Sequence, residues 1–222
     1  MTTRKRSLFP VIVAFALAAT FSESQAQAAD EAKIKQGARL YAQSCAVCHQ
    51  ADAIGKPGFA PSLSNPEFLS VASDRFILST MREGRPGTGM PSFIYLDPNQ
   101  GQAILAYLRS FAVLPDRSEA IDAEPASRGD ADRGKQSFDL ICSTCHGPKG
   151  DGYTAGGTGT AIGKVGTMSK ASDGFLRATI KNGRSNTRML GFSGPDGMAA
   201  LSDQEIDDII VYLHLLAEQE GS

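Results

Sequence analysis

The sequence predicts an all-α fold built as two tandem modules of short helices. Three observations carry that prediction. The chain contains an internal duplication, in which Gly37, Tyr41 and Cys45 are matched at identical spacing by Gly134, Phe138 and Cys142. Each copy closes on an apolar helical segment, Ile104 to Phe111 and Ile206 to Leu216, with Tyr107-Leu108 and Tyr212-Leu213 in matching places. Each copy also opens on a segment of helical character, Glu31 to Ser44 and Ala131 to Ile141.

The elements follow in chain order. Arg4, Lys5 and Arg6 form a basic start, Leu8 to Phe21 an apolar run, and Ala26-Gln27-Ala28 a small-residue cleavage site. This is the pattern of a secretory signal peptide, so residues 1–28 are expected to be removed, with an uncleaved anchor as the alternative. The apolar run falls short of the ~20 residues that span a bilayer, and no later stretch is longer, so the mature protein is expected to be soluble. Cleavage deletes three basic residues and Glu23, taking the formal charge from −2 to −4. That balance gives no sign of a nucleic-acid partner.

The first module is expected over residues 30–114. Its opening helix contains Gly37, which costs helix propensity and is best explained by a close crossing with another backbone. Next comes Cys45-Ala46-Val47-Cys48-His49. Met81 shares a helical stretch with Ile77 and Leu78 and reads as packing, whereas Met90, in Gly89-Met90-Pro91, reads as a loop residue. Asp97 is an N-cap followed by Pro98 at the first helical position.

Residues 115–130 are polar, carry Pro, Gly and Ser, and lack apolar periodicity, so they read as a linker. The second module, 131–222, repeats the first. It has Cys142-Ser143-Thr144-Cys145-His146, the run Gly147 to Gly152 as a turn, and Ser202 to Glu205 as a capping box before the last helix. The segment Gly84-Arg85-Pro86-Gly87-Thr88-Gly89-Met90 finds its counterpart in Gly183-Arg184-Ser185-Asn186-Thr187-Arg188-Met189, within a shared Gly-Arg-x-x-Thr-x-Met-x-x-Phe frame.

All four cysteines lie in the two clusters, and each pair is followed directly by a histidine. Two disulfides, the usual reading of an even count in an exported chain, do not require that histidine. Structural zinc prefers four N/S ligands gathered at one place. Covalent haem requires this spacing, because two thiols add across the vinyl groups while the adjacent imidazole reaches the iron. Two haem c groups are therefore expected, attached at Cys45, Cys48, Cys142 and Cys145, with His49 and His146 as iron ligands. Met90 is the candidate for the sixth position of the first iron. Met189 is favoured for the second by its place in the repeat, with Met198 as the alternative. His214, on the last helix, reads as a packed or surface imidazole.

These residues resemble the class I cytochrome c family, specifically its tandem di-haem members, over nearly all the mature chain. The resemblance implies a bacterial periplasmic carrier of single electrons, with partners such as a quinol-oxidising complex, a dehydrogenase or a terminal oxidase. Alternatives are a haem-bearing subunit held within such a complex, or a di-haem enzyme such as a peroxidase with an open sixth position. The family also supports its proximal histidine through a backbone carbonyl in a Gly-Pro-x-Leu segment. Ala60-Pro61-Ser62-Leu63 is close to that pattern, but Gly159-Thr160-Ala161-Ile162 lacks the proline, which leaves the support of His146 open. Arg82 and Arg85 flank Met90, and Lys181, Arg184 and Arg188 flank Met189. They read either as solvated charge or as a basic rim that steers acidic partners.

Overall fold

A computed structural model of the chain describes residues 11–221, with side chains over 27–220. The basic start of the expected signal peptide lies outside the described residues. Among the described residues there is no strand, only two isolated bridges, Lys56 with Ala60 and Ser193 with Leu201. No helix among them is long and apolar enough to cross a membrane.

The opening helix α1 runs Val11–Ser44, so the short helix expected from Glu31 is the end of a much longer one. Residues 11 to 36 contain neither Gly nor Pro and are rich in alanine, the strongest helix former, so nothing in the sequence stops it. The short helix α2, Ala46–His49, carries the first Cys-x-x-Cys-His site. Then come α3, Pro66–Val71, and α4, Asp74–Glu83, capped by the side chains of Asn65 and Ser73. Helix α5, Pro98–Arg109, starts on Asp97, which forms a full capping box with Gln100.

The second module repeats the plan. Helix α7, Ala131–Ser137, passes through a π-helical turn at Phe138–Cys142 into α8, Ser143–His146. Helix α9, Val165–Met168, precedes α10, Asp173–Asn182, which is capped by Ser172 as α4 is by Ser73. Helix α11, Asp203–Gly221, closes the chain, and Ser202 and Glu205 form the expected reciprocal cap before it.

In each module the first and last helices cross at the expected glycine. A Cβ on Gly37 would lie 1.9 Å from the Ala103 carbonyl oxygen, and one on Gly134 would lie 2.0 Å from that of Asp208. Only glycine admits so close an approach. One turn on, Tyr41 packs on Tyr107 with ring centroids 5.3 Å apart, and Phe138 packs on Tyr212 at 5.4 Å.

The two modules share one contiguous core. Phe76 of α4 stacks on Phe175 of α10 at 4.7 Å, and Phe68 of α3 meets both edge-on at 6.4 and 6.3 Å. Around this centre Asn65 Nδ2 donates to the Ser185 carbonyl (3.0 Å), Ser185 Oγ donates to Glu67 (2.9 Å), and Lys170 pairs with Glu83 (3.1 Å). The segment between the modules is not an open connector. It forms α6, Ser118–Asp122, with Ile121 buried against α10 and Asp122 accepting a hydrogen bond from Ser172. Five residues are too few to display periodicity, so their polar composition reads as loop.

Candidate haem-binding sites

Each Cys-x-x-Cys-His site is made by a helix end. The backbone enters the first turn through Cys45 N–H to the Tyr41 carbonyl (2.8 Å) and leaves it after His49. Two residues follow the histidines with positive φ, Gln50 at 62° and Gly147 at 79°, so the chain reverses sharply away from each ring. In the first module that conformation falls on a non-glycine residue, whose carbonyl accepts a hydrogen bond from Tyr41 Oη at 2.8 Å. No two of the four cysteines are bonded to each other. As thiols before any attachment, Cys45 is pushed up to about 11 and Cys142 up to about 12 by burial. No group of three or more His, Cys, Asp and Glu is gathered for a metal among the described residues.

The two histidines are oriented alike. His49 Nδ1 donates to the Pro61 carbonyl at 2.9 Å, and His146 Nδ1 donates to the Thr160 carbonyl at 2.7 Å. Each bond fixes the tautomer and leaves Nε2 free to bind a metal. The missing proline in the second module therefore removes nothing, because the acceptor is main chain. Gly159 makes this fit possible, since a Cβ there would lie 2.7 Å from the His146 ring. Burial lowers both imidazole pKa values, which keeps the rings neutral and able to bind a metal at pH 7.

The repeated frame around the methionines has a physical basis. Arg85 N–H donates to the Met90 carbonyl (3.0 Å), and Arg184 N–H donates to that of Met189 (2.6 Å), closing equivalent loops. Inside each loop a threonine hydroxyl bridges: Thr88 Oγ1 donates to the Arg85 carbonyl (2.7 Å) and accepts from Met90 N–H (3.2 Å). Thr187 does the same with Arg184 (2.8 Å) and Met189 (3.0 Å). Gly84 and Gly183 adopt φ of 68° and 67° where the loops fold back against the backbone at Pro91 and Leu190. Met90 and Met189 are half-buried, and Met189 packs on the core. Met198 stands 66% exposed after the Gly194–Gly197 turn, outside any such frame. Met81 is buried as expected. His214 is engaged with Asp173 through Nε2 at 2.7 Å.

One expectation is corrected. Arg85 and Arg184 do not form an exposed rim; they point inward, and their Nε atoms are buried with no hydrogen-bond partner. Arg184 lies over Phe68 and Phe175 at 5.1 and 5.8 Å, and Arg85 over Phe76 at 5.8 Å. Burial lowers both guanidinium pKa values to about 10, so both remain charged at pH 7. Only Arg82 and Arg188 are exposed, while Lys181 pairs with Asp203 at 2.7 Å. Sequence reasoning treated all five as surface because charged residues are seldom buried without a partner. The one available signal was that Arg85 and Arg184 fall at the same place in the repeat. Each arginine leaves a buried Nε–H without an acceptor, and haem c carries two propionates that could accept from it. On that ground the residues present fit the group.

Comparisons with known proteins find a cytochrome c-type domain in each half of the chain. Residues 32–108 match the family model described as cytochrome c oxidase, cbb3-type, subunit III, and residues 131–217 match the model described as cytochrome c. The chain is 29% identical over 196 residues to the Cbb3-type cytochrome c oxidase subunit CcoP of Rubrivivax gelatinosus, covering 88% of this chain and 58% of that protein. It is 26% identical over 197 residues to the subunit FixPc of Rhizobium leguminosarum bv. viciae, covering 84% and 62%. The chain thus spans about three-fifths of the length of these curated relatives. Among solved structures, a chain of the reducing HAO-like protein complex of Kuenenia stuttgartiensis shares the fold. Its TM-score is 0.50 at 21% identity, over 82% of this chain and 95% of that one.

Proposed function

We propose that this chain, being two cytochrome c-type domains in tandem that carry two covalently bound haem c groups, transfers single electrons between redox proteins and catalyses no reaction of its own. The observation that carries the reading is the duplicated ligand set. Both modules hold a neutral imidazole with Nε2 free to ligate, and both hold a methionine on a loop closed by the same arginine and threonine contacts. His49 with Met90 and His146 with Met189 would hold the two irons, and Cys45, Cys48, Cys142 and Cys145 would attach the two haems. The bound haem supplies one-electron exchange between ferric and ferrous iron. The protein's part would be to hold each iron between an imidazole and a thioether, which would leave no site for substrate and would favour the reduced state.

The relatives favour a definite setting, in which the chain serves as an electron-transfer subunit that delivers to a terminal oxidase of the cbb3 type. Residues 1–28 would direct it to the periplasm before removal. Copurification of an oxidase from native membranes supports that setting, and recovery of the chain alone in the soluble fraction replaces it with a free shuttle.

A redox titration followed by absorption and magnetic circular dichroism tests the central claim. Two low-spin His/Met centres are expected. The Met189→Ala variant is expected to lose that signature in one centre only, and Met198→Ala to retain both. A high-spin or bis-histidine centre in the unaltered protein would overturn the carrier reading and restore the enzyme.

A further inference from the structure

The turn that follows each Cys-x-x-Cys-His site has the same backbone in both modules but not the same residues. Gln50, directly after His49, sits at φ 62° and ψ 165°, and Gly147, directly after His146, at φ 79° and ψ 156°. Three residues further on, Ala53 has φ 59° and Gly150 has φ 62°. The hydrogen bonds correspond one for one. Ala53 N–H donates to the Gln50 carbonyl (3.2 Å), as Gly150 N–H does to that of Gly147 (3.0 Å). The Ala53 carbonyl accepts from Leu63 and Ser64 (2.8 and 3.1 Å), as that of Gly150 does from Ile162 and Gly163 (2.9 and 3.0 Å). Glycine adopts these conformations freely, whereas a residue with a Cβ is strained there, most of all in the extended positive-φ region that Gln50 occupies. The second module meets the demand with two glycines, and the first has neither.

The first module has instead a donor that the second lacks. Tyr41, 1% exposed, donates from Oη to the Gln50 carbonyl at 2.8 Å, and the matching residue of the second module is Phe138. Burial raises the pKa of the phenol, so it keeps its proton and remains a donor. The bond reaches the iron-binding imidazole through a short chain of contacts. Tyr41 holds Gln50, Gln50 holds Ala53, and Ala53 holds the backbone at Leu63 and Ser64. Two residues before Leu63, the Pro61 carbonyl accepts from His49 Nδ1 (2.9 Å).

We propose that Tyr41 is a positioning residue of the first haem site. Its hydroxyl does for Gln50 what glycine does at position 147, holding a strained turn closed so that the Pro61 carbonyl stays on His49. The inference rests on His49 binding iron through Nε2, as in the carrier reading. A carbonyl that accepts from Nδ1–H makes the imidazole a stronger electron donor, which favours ferric iron. Removing the Tyr41 hydroxyl loosens that bond and so favours the ferrous state, in the first module only.

The test is an NMR-monitored redox titration of the haem-loaded protein, with the two centres followed separately, alongside deuterium exchange of the histidine Nδ1 protons in the reduced state. In Tyr41→Phe the first centre is expected to favour the ferrous state about threefold more (~28 mV) and the His49 proton to exchange about tenfold faster, with the second centre unmoved. Adding Gln50→Gly to that variant removes the need for the hydroxyl and is expected to return both values. If Tyr41→Phe does not hold haem at the first site, the double variant is still expected to hold it. A Tyr41→Phe protein with unchanged potential and exchange overturns the proposal. So does a double variant in which the glycine restores neither. Absence of two low-spin His/Met centres in the unaltered protein is a different failure, which sinks the carrier reading and leaves the His49 exchange result standing.

Discussion

The two modules share a plan but hold their helix crossings by different means. In the first, the glycine of α1 meets α5 at Ala103, a residue with no exposed surface and nothing to ionise. In the second, the glycine of α7 meets α11 at Asp208, which is 1% exposed and ringed by donors. Asp208 accepts from Asp130 N–H (2.7 Å), from Arg133 Nε (2.8 Å) and from Gln204 Nε2 (3.0 Å). The hydrogen bond from Arg133 is the main reason its carboxyl sits below the usual range. One crossing is thus closed by dispersion and apolar burial, the other by a buried carboxylate whose worth depends on its charge. Duplication conserved the geometry and let the chemistry of the contact diverge.

Three experiments probe that comparison. The largest effect is expected where the modules agree. Gly37→Ala and Gly134→Ala each drive a Cβ onto a carbonyl oxygen, and overpacking of this kind costs about 3 kcal/mol. Thermal unfolding of the loaded protein measures it; similar losses for both variants fit a shared crossing, and a loss in one alone breaks the equivalence.

The second effect belongs to the second module alone. Asp208→Asn keeps the shape and discards the charge-assisted bonds, a loss of about 1–3 kcal/mol at neutral pH. Because the native pKa is depressed, the stabilisation is complete above the unfolded carboxylate value of about 3.9. It fades as pH falls through the native value. Acid unfolding of the wild type should therefore begin in the second module, and the variant should show less pH dependence there. Equal acid sensitivity of both modules would count against the contrast.

The smallest effect is a near-silence. Thr160→Pro writes the first module's Pro61 into the second. Since His146 bonds the main-chain carbonyl at position 160, stability is expected to move by less than about 0.5 kcal/mol, and the second potential to stay in place. A clear shift in that potential would mean that the proline does more than present its carbonyl.

Much of the site was readable before any coordinates. Cys45, Cys48 and His49, and their counterparts, are fixed by chemistry local to five residues, and local chemistry survives in sequence. The caps at Asp97 and Ser202 were legible for the same reason, since a cap is a contact between residues three apart. Gly37 and Gly134 were readable as crossings because a helix tolerates glycine only at a cost. The preference for Met189 over Met198 came from the repeat, and the structure places Met189 in the same threonine-bridged loop as Met90.

What stayed hidden was non-local. The support of His146 looked doubtful because the acceptor is a main-chain carbonyl fourteen residues away, and no side chain reports on a carbonyl. The π-helical turn at Phe138–Cys142 shares the spacing of the regular turn at Tyr41, so spacing could not distinguish them. Helix α6 was read as linker because its apolar contact is made by the single residue Ile121.

By itself, then, the sequence determined an all-α tandem, its two haem sites and the methionine frame, since each is encoded by short spacings and a repeat. Tertiary structure alone decided that Arg85 and Arg184 turn inward over the phenylalanines between the modules. That outcome depends on packing among Phe68, Phe76 and Phe175, residues up to 107 positions apart, whose pairing free energy exists only once both modules are folded.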